Sequence, residues 1–184
     1  MVLLGQKLKP LTIGHLFLLE RFECLPVEDV DQLIFAVLIC SHDHEEVIPA
    51  LENRWTNLRI RFWGWRLGKV DWLSKWELWQ EYYERSTATP CVVQKSDNDI
   101  GGSATPFLQH VKVTLQSKLN YTPSEALSTP FSSAMWDYYT YHESEGNVDI
   151  ADAASRKDMR EWVDENHDEL IREVIARREA VNGA

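Results

Sequence analysis

The sequence predicts an all-α protein, a bundle of about six or seven helices with a flexible central loop. Apolar residues recur at steps of three and four along most of the 184 residues, which is the period of helices that bury one face. Capping residues, prolines and glycines stand at the ends of these periodic segments, where helices start and stop. Residues 87–105 lack this period and are rich in Ser, Thr, Gly and Asp, as loops are. We therefore expect an N-terminal helical half (residues 1–86), a flexible loop or linker (residues 87–105) and a C-terminal helical half (residues 106–184), the two halves forming either one compact domain or two.

The first two predicted helices follow residues 1–9, which we expect to form an irregular arm. Thr12 can cap a helix that ends at the break set by Pro26. Asp29 then places negative charge at the start of a second helix, as the helix dipole favours. The interior of this helix, residues 33–39, is apolar all round. It therefore belongs at the centre of the bundle, with a buried strand as the competing interpretation.

The third and fourth predicted helices carry long apolar stripes. Residues 58–62 alternate in polarity, as a strand would, but the longer register favours one continuous third helix that ends at Gly68. A turn at Gly68 and Lys69 would make the two helices an antiparallel hairpin with Trp and Leu interlocked along the seam. We expect the aromatic face of the fourth helix, which Asp71 can cap, to lie in the core. The stripe of the third helix is Ile48, Leu51, Trp55, Leu58, Phe62 and Trp65, and that of the fourth is Trp72, Trp76, Trp79 and Tyr83.

The C-terminal half begins with a helix that opens at Pro106. Thr122-Pro123-Ser124-Glu125 then has the form of a helix start, because the hydroxyl can accept from free amides and Pro fits the first turn. A break at Pro130 introduces a longer helix that stops near Gly146. After a brief extended piece, a terminal helix is predicted from Ser155, with acids in its early turns and arginines in its late ones.

Charge and cysteine content argue against several classes of protein. The net charge of −10 and the pI of 5.0 argue against a dedicated binder of nucleic acid or anionic membranes. Three cysteines without repeated spacing argue against a disulfide framework and favour a reducing compartment. No secretory signal and no run long enough to span a bilayer are evident, so we expect a soluble, cytoplasmic protein.

Two stretches could carry a specific chemistry. Cys40, His42 and His44 have ligand-competent side chains that could hold zinc, although no second ligand cluster is close in sequence. The competing interpretation is a polar loop in which Asp43 caps the next helix. Residues 54–69 are basic, with no acid between Glu52 and Asp71, and could meet phosphates or an acidic partner. The basic residues are Arg54, Arg59, Arg61, Arg66 and Lys69, interleaved with Trp63 and Trp65.

We expect no catalysis and no cofactor. The sequence contains no phosphate-binding glycine loop, no nucleophile elbow and no metalloprotease helix. The remaining histidines have no neighbouring catalytic or metal-ligating pattern in the sequence, so we interpret them as surface residues or as hydrogen-bonded helix residues. The two alternatives to a non-catalytic binding protein are therefore a nucleic-acid-binding or virion-structural module using residues 54–69, and a metal-binding protein using Cys40, His42 and His44.

The stretch TPSEALSTPFSSAMWDYY, residues 122–139, carries a family resemblance. With the helix before it, it resembles the helical tail assembly chaperones of long-tailed bacteriophages and prophages, in which Pro-x-Glu-x-x-x-Met-Thr-Pro-x-Glu-Leu is a common phrase. The resemblance lies mainly in residues 106–146. Pro123, Glu125, Thr129 and Pro130 match the phrase, whereas Ser128, Ser132 and Ser133 depart from it.

The resemblance implies a non-catalytic protein that binds tape-measure or tail-tube subunits in the bacterial host cytoplasm, with self-association left open. An apolar, Trp-rich face would mask the client, and an acidic surface would keep the complex in solution. We expect the partner-binding residues to be Trp63, Trp65, Trp72, Trp136, Arg59 and Arg66.

Overall fold

The computed structural model describes residues 1–67, 72–94 and 106–151. Within them the chain forms eight α-helices and four strands of two or three residues, which confirms the all-α prediction. The predicted turn at residues 68–69, most of the predicted central loop and the predicted terminal helix lie outside the described residues. The helices are α1 (Ile13–Arg21), α2 (Val30–Ser41), α3 (Val47–Glu52), α4 (Arg54–Leu67), α5 (Leu73–Ser86), α6 (Phe107–Lys118), α7 (Pro123–Ser128) and α8 (Phe131–Ser144), and the strands are β1 (Val2–Leu3), β2 (Gln6–Lys7), β3 (Val92–Gln94) and β4 (Val148–Ile150).

The first residues form a β-hairpin, so the prediction of an irregular arm was wrong. β1 and β2 pair antiparallel through a two-residue turn at Leu4 and Gly5. Both turn residues have positive φ, 50° and 69°, as the twist of a type I′ hairpin turn requires. Leu3, Leu4 and Leu8 are buried in the core. Burial of these leucines offsets the unfavourable backbone conformation of a non-glycine residue at Leu4.

α1 starts at its predicted cap, Thr12, and α2 starts at Asp29, which the sequence predicted only as a negative charge at the helix start. The Thr12 hydroxyl accepts a hydrogen bond from the His15 amide at 3.2 Å, and the Asp29 carboxylate accepts one from the Gln32 amide at 2.8 Å. α2 is buried along most of its length and packs on α1, α4, α5 and β2. The central position predicted from its continuous apolar run is therefore confirmed.

The predicted third helix is broken in two at Asn53. Asn53 has extended backbone (φ −74°, ψ 130°), and its side-chain oxygen accepts from the Trp55 amide at 2.9 Å. Asn is a preferred residue at helix starts, so this residue begins α4 as a separate element. The prediction that Asp43 caps the next helix was wrong, because α3 begins without a side-chain cap. The Asp43 carboxylate instead pairs with Lys9.

α5 places its aromatic face on the core, as its spacing predicts. Trp79 is fully buried and contacts the rings of Tyr82 and Tyr83, with centroid separations of 5.4 and 6.2 Å. The Trp76 indole N–H donates to the Val27 carbonyl at 2.9 Å. These contacts fix α5 against the chain segment between α1 and α2.

The later helices pack against the N-terminal ones. α1 contacts both α6 and α7, and the Phe131 amide donates to the Leu11 carbonyl at 2.7 Å. α7 has the predicted start, since the Thr122 hydroxyl and the Glu125 carboxylate form a reciprocal capping box. Gly146 follows α8 at φ +77°, the left-handed conformation typical of a helix stop. β3, which lies within the predicted loop, pairs antiparallel with β4.

α1 and the loop before α3 are in close contact at Gly14. A Cβ at this position would lie 2.6 Å from the His44 ring and 2.9 Å from the His44 Cβ. Helix propensity alone favours alanine over glycine by about 1 kcal/mol. We nevertheless expect Gly14→Ala to lower the free energy of unfolding by about 1–3 kcal/mol because the added carbon overpacks this contact. Urea denaturation of the variant measures the sign, and a gain in stability would contradict the close contact.

Candidate partner-binding face

α4 has two apolar faces, and the structure buries the one that the sequence pattern did not select. Thr56 and Leu67 are buried, and Ile60 and Trp63 pack against the core between them. These four residues are spaced by four, three and four positions, so they form a continuous inner stripe. They hold α4 against α2 and α3.

The outer face of α4 consists of large apolar side chains in solvent. The exposed fractions are 77 % for Trp55, 56 % for Leu58, 48 % for Phe62 and 61 % for Trp65. The prediction that this stripe interlocks with the next helix was therefore wrong. The physical reason is that Ile60, Trp63 and Leu67 already anchor the opposite side of the helix.

Ring contacts order part of this surface. Phe62 lies edge-on to Trp63 with 5.6 Å between centroids and tilted against Trp65 at 6.4 Å. The Arg66 guanidinium lies 5.7 Å from the Trp63 ring centroid, within cation–π distance. Aromatic side chains that are held by each other lose less conformational freedom when a partner binds.

Four arginines surround the apolar stripe: Arg54, Arg59, Arg61 and Arg66 are all exposed. α4 contains no acid, and none of these arginines forms an ion pair with the parts of the chain that are described. The helix thus carries four positive charges in a chain whose net charge is −10. We call Trp55, Leu58, Phe62 and Trp65 with these arginines the α4 face.

A cavity of about 380 Å³ opens beside the α4 face. Its walls are the turn of the N-terminal hairpin, Trp63 and Leu67 from α4, and Leu78 from α5. Arg66 and Lys75 supply two cations to this largely apolar lining. The cavity is therefore suited to a large apolar side chain that is accompanied by carboxylates.

The other residues predicted to bind a partner lie apart from the outer stripe. Trp63 is half-buried and forms the wall of the cavity, and Trp72 is half-buried at the start of α5 and packs on the core. Trp136 is 50 % exposed on α8, a helix that packs mainly on α6 and β4. The structure places Trp65, Arg59 and Arg66 at exposed positions of α4 and Trp63 on the inner stripe of the same helix. It adds Trp55, Leu58 and Phe62, which the pattern had assigned to a helix–helix seam.

The candidate metal ligands are used for packing and backbone hydrogen bonds. Cys40 is fully buried, and burial raises the pKa of its thiol to about 12, which keeps it in the neutral form. The His42 ring lies 2.9 Å from the Leu38 carbonyl, and His44 contacts α1 at Gly14. Within residues 1–67, 72–94 and 106–151, no three His, Cys, Asp or Glu side chains are placed to hold a metal ion.

His15, which the sequence offered only as a histidine standing alone, is a buried polar residue of α1. It occupies the third position of α1, where a capping box usually has Glu or Gln, and its Nδ1 accepts from the Thr12 amide at 3.1 Å. Its Nε2 lies 2.8 Å from the His42 carbonyl oxygen, to which it donates. These two bonds specify the neutral imidazole with its proton on Nε2.

Stability is expected to depend on pH through this histidine. Burial lowers the pKa of His15 below its usual 6.5, and the hydrogen bond to the His42 carbonyl opposes this with a smaller effect. Burial also lowers the pKa of His142. As the pH falls below 6.5, these groups take up protons in the unfolded chain before they do so in the folded one. The free energy of unfolding should therefore decrease from pH 7.5 to 5.5. Urea titrations at both values measure this, and equal or greater stability at pH 5.5 would contradict the assignment.

Comparisons with protein-family models, with curated proteins and with solved structures find no match to this chain. Among the helices that the structure describes, none combines the length and the apolar composition needed to cross a membrane.

Proposed function

We propose that the protein is a non-catalytic client-binding protein of the tail assembly chaperone type, which holds a tape-measure or tail-tube subunit in the bacterial cytoplasm before assembly. The observation that carries the proposal is the α4 face, a row of exposed Trp, Leu and Phe side chains flanked by arginines. The resemblance of residues 122–139 to the chaperones of tailed phages supplies the class of client.

The composition of the α4 face supports a protein partner. Trp and Arg are the residues most enriched among those that dominate binding energy at protein interfaces. Trp55, Leu58, Phe62 and Trp65 are spaced by three, four and three positions, so they form one ridge along the helix. Such a ridge fits between the side chains of an amphipathic helix, where each large apolar residue can be fully desolvated.

Charge restricts the client further. The arginines of the α4 face favour a client segment whose apolar stripe is flanked by Asp or Glu, because such pairs steer association and fix its register. The remainder of the chain is strongly acidic and repels the same client elsewhere. We therefore expect a client helix with an apolar stripe and acidic edges, bound on α4 alone.

The test uses the full chain and the purified tape-measure and tail-tube proteins of the same phage or prophage. We expect the wild-type chain to bind one of them and to suppress its aggregation. Leu58→Asp/Phe62→Asp should weaken binding by about 30-fold or more, since each position is placed as an interface anchor. Val113→Asp is the matched control, because Val113 is a similarly exposed apolar residue on α6.

Two outcomes would overturn the proposal. One is no binding to either tail protein by the wild-type chain, and the other is equal weakening by the α4 and Val113 variants. The interleaving of exposed tryptophans and arginines also suits single-stranded nucleic acid. If the wild-type chain binds DNA with an affinity that falls steeply as salt rises, and the α4 variant loses that binding, a nucleic-acid-binding function replaces the one proposed.

A further inference from the structure

We propose that the cavity beside the α4 face binds a small amphipathic anion, a monocarboxylate with a single aliphatic chain of about ten to twelve carbons. The cavity lies among the turn of the N-terminal hairpin, α4 and α5, and its nine lining residues all belong to the described parts of the chain. The proposed client is a protein that binds along α4, so this ligand site is a separate inference and does not rest on the proposed function.

The lining of the cavity changes from apolar to charged between its buried and its exposed side. Leu3, Leu4 and Leu67 are almost completely buried, so they form the inner wall. Arg66 is exposed and Lys75 is half-buried, so the two cations lie nearer to solvent. A molecule with an apolar chain and one anionic end matches this arrangement, with the chain against the leucines and the charge at the cations.

Both cations are available to an anion. Neither Arg66 nor Lys75 forms an ion pair with a residue in the described ranges. The Arg66 guanidinium lies 5.7 Å from the Trp63 ring centroid. Arginine can stack on a ring through its planar face while its N–H groups bind both oxygens of a carboxylate, so the ring contact is compatible with a bound anion. Charges are screened less beside an apolar wall than in bulk water, which strengthens the pairing.

A free ligand fills the cavity more completely than one side chain of a protein partner does. A protein cavity of about 150 Å³ binds benzene, which has about six non-hydrogen atoms. In proportion, a cavity of about 380 Å³ holds about 15 such atoms. A twelve-carbon monocarboxylate has about 14, whereas an indole side chain, with about ten, leaves roughly a third of the space without contacts.

Other classes of small ligand satisfy only part of this lining. Inorganic phosphate would pair with the two cations and leave the leucines against water. An uncharged hydrocarbon would cover the leucines and leave Arg66 and Lys75 without an anion. Because the whole chain has a net charge of −10, its overall field repels anions, so uptake of a carboxylate depends on the local charges of the cavity.

Equilibrium dialysis of the full-length chain against decanoate measures this binding, at concentrations below those at which the ligand forms micelles. Decanol and decyltrimethylammonium are the matched probes, since they have the same chain with an uncharged and a cationic end. We expect decanoate to bind at one site with a Kd of about 100 µM or lower, and at least about tenfold more tightly than either probe. A weaker Kd or a smaller preference for the carboxylate would overturn the inference.

Removal of the two cations tests which charges select the anion. Arg66→Gln/Lys75→Gln should weaken decanoate binding by about tenfold or more and leave decanol binding unchanged, because only the carboxylate loses its partners. Arg85→Gln/Lys118→Gln is the matched control, since it removes one exposed arginine and one exposed lysine outside the cavity. The control should bind decanoate as the wild type does. Equal weakening by the two double variants would overturn the inference, because net charge would then govern binding.

The position of the bound chain separates the cavity from the apolar side chains of the α4 face. A decanoate analogue with a diazirine at the end of its chain is irradiated with the wild-type protein, and peptide mapping locates the label. We expect label on Leu3, Leu4 or Leu67, the buried wall of the cavity, and we expect excess decanoate to suppress it. Label confined to Trp55 and Leu58, or no label that decanoate displaces, would overturn the inference.

Discussion

Trp79→Ala is expected to lower the free energy of unfolding by about 3–5 kcal/mol, the largest effect of any substitution considered for this protein. Trp79 is 1 % exposed and packs against the rings of Tyr82 and Tyr83. Its removal deletes a large buried side chain and leaves a cavity that a helix anchored on both sides cannot close. Urea denaturation at pH 7.5 gives the value.

Trp55→Ala is the matched control for this prediction. The same residue type stands on the neighbouring helix with 77 % of its surface exposed. We expect a change within about 0.5 kcal/mol, as for surface positions generally. Similar losses for the two variants would mean that the outer side of α4 is packed in the folded chain, which would contradict the assignment of this side as a binding surface.

His15→Leu is expected to lower the free energy of unfolding by about 2–4 kcal/mol. Leucine fills the site with an apolar side chain, but it removes the acceptor for the Thr12 amide and the donor for the His42 carbonyl. Each backbone group left buried without a partner costs about 1–3 kcal/mol. The loss should be accompanied by a shallower dependence of stability on pH below 6.5, because the titrating imidazole is gone.

His15→Gln separates hydrogen bonding from packing at this site. Glutamine can accept from the Thr12 amide in the ordinary capping-box manner but is not expected to keep the bond to the His42 carbonyl. Its stability should therefore fall between that of the wild type and that of His15→Leu. A leucine variant as stable as the wild type would show that these hydrogen bonds contribute nothing net.

Local chemistry made the helix starts predictable. The caps at Thr12, Asp29 and Thr122 depend on residues within one turn of each other, so the sequence contains the whole signal. The same holds for the stop at Gly146. The break at Asn53 also had a local signal, since Asn is a preferred capping residue. The apolar spacing continues across Asn53, however, and it led us to predict one continuous helix.

The burial of α4 was not predictable from its own residues. Its stripe at Trp55, Leu58, Phe62 and Trp65 and its stripe at Thr56, Ile60, Trp63 and Leu67 both have helical spacing, and the more apolar one faces solvent. Which stripe is buried depends on the position of α2 and α3, which is tertiary information. For the same reason the α4 face was recognised only in part, through its arginines and Trp65, while the predicted Trp63 lies on the inner stripe. The helical spacing had assigned the other members of the α4 face, Phe62, Leu58 and Trp55, to a buried helix–helix seam.

The hairpin formed by the first seven residues was missed for a related reason. Leu4 at φ 50° is a rare conformation that no turn rule assigns to leucine. Its side chain is buried together with Leu3 and Leu8. The packing of these leucines beside α4 and α5 thus selects a turn that local preferences disfavour.

The most direct test of a partner-binding α4 face is hydroxyl-radical footprinting of the full-length chain, alone and with a saturating tail subunit that it binds. We expect oxidation of Trp55, Leu58 and Phe62 to fall when the client binds, while Trp136 and Val113 are oxidised as before. Protection at Trp136 with unchanged oxidation along α4 would contradict client binding at the α4 face.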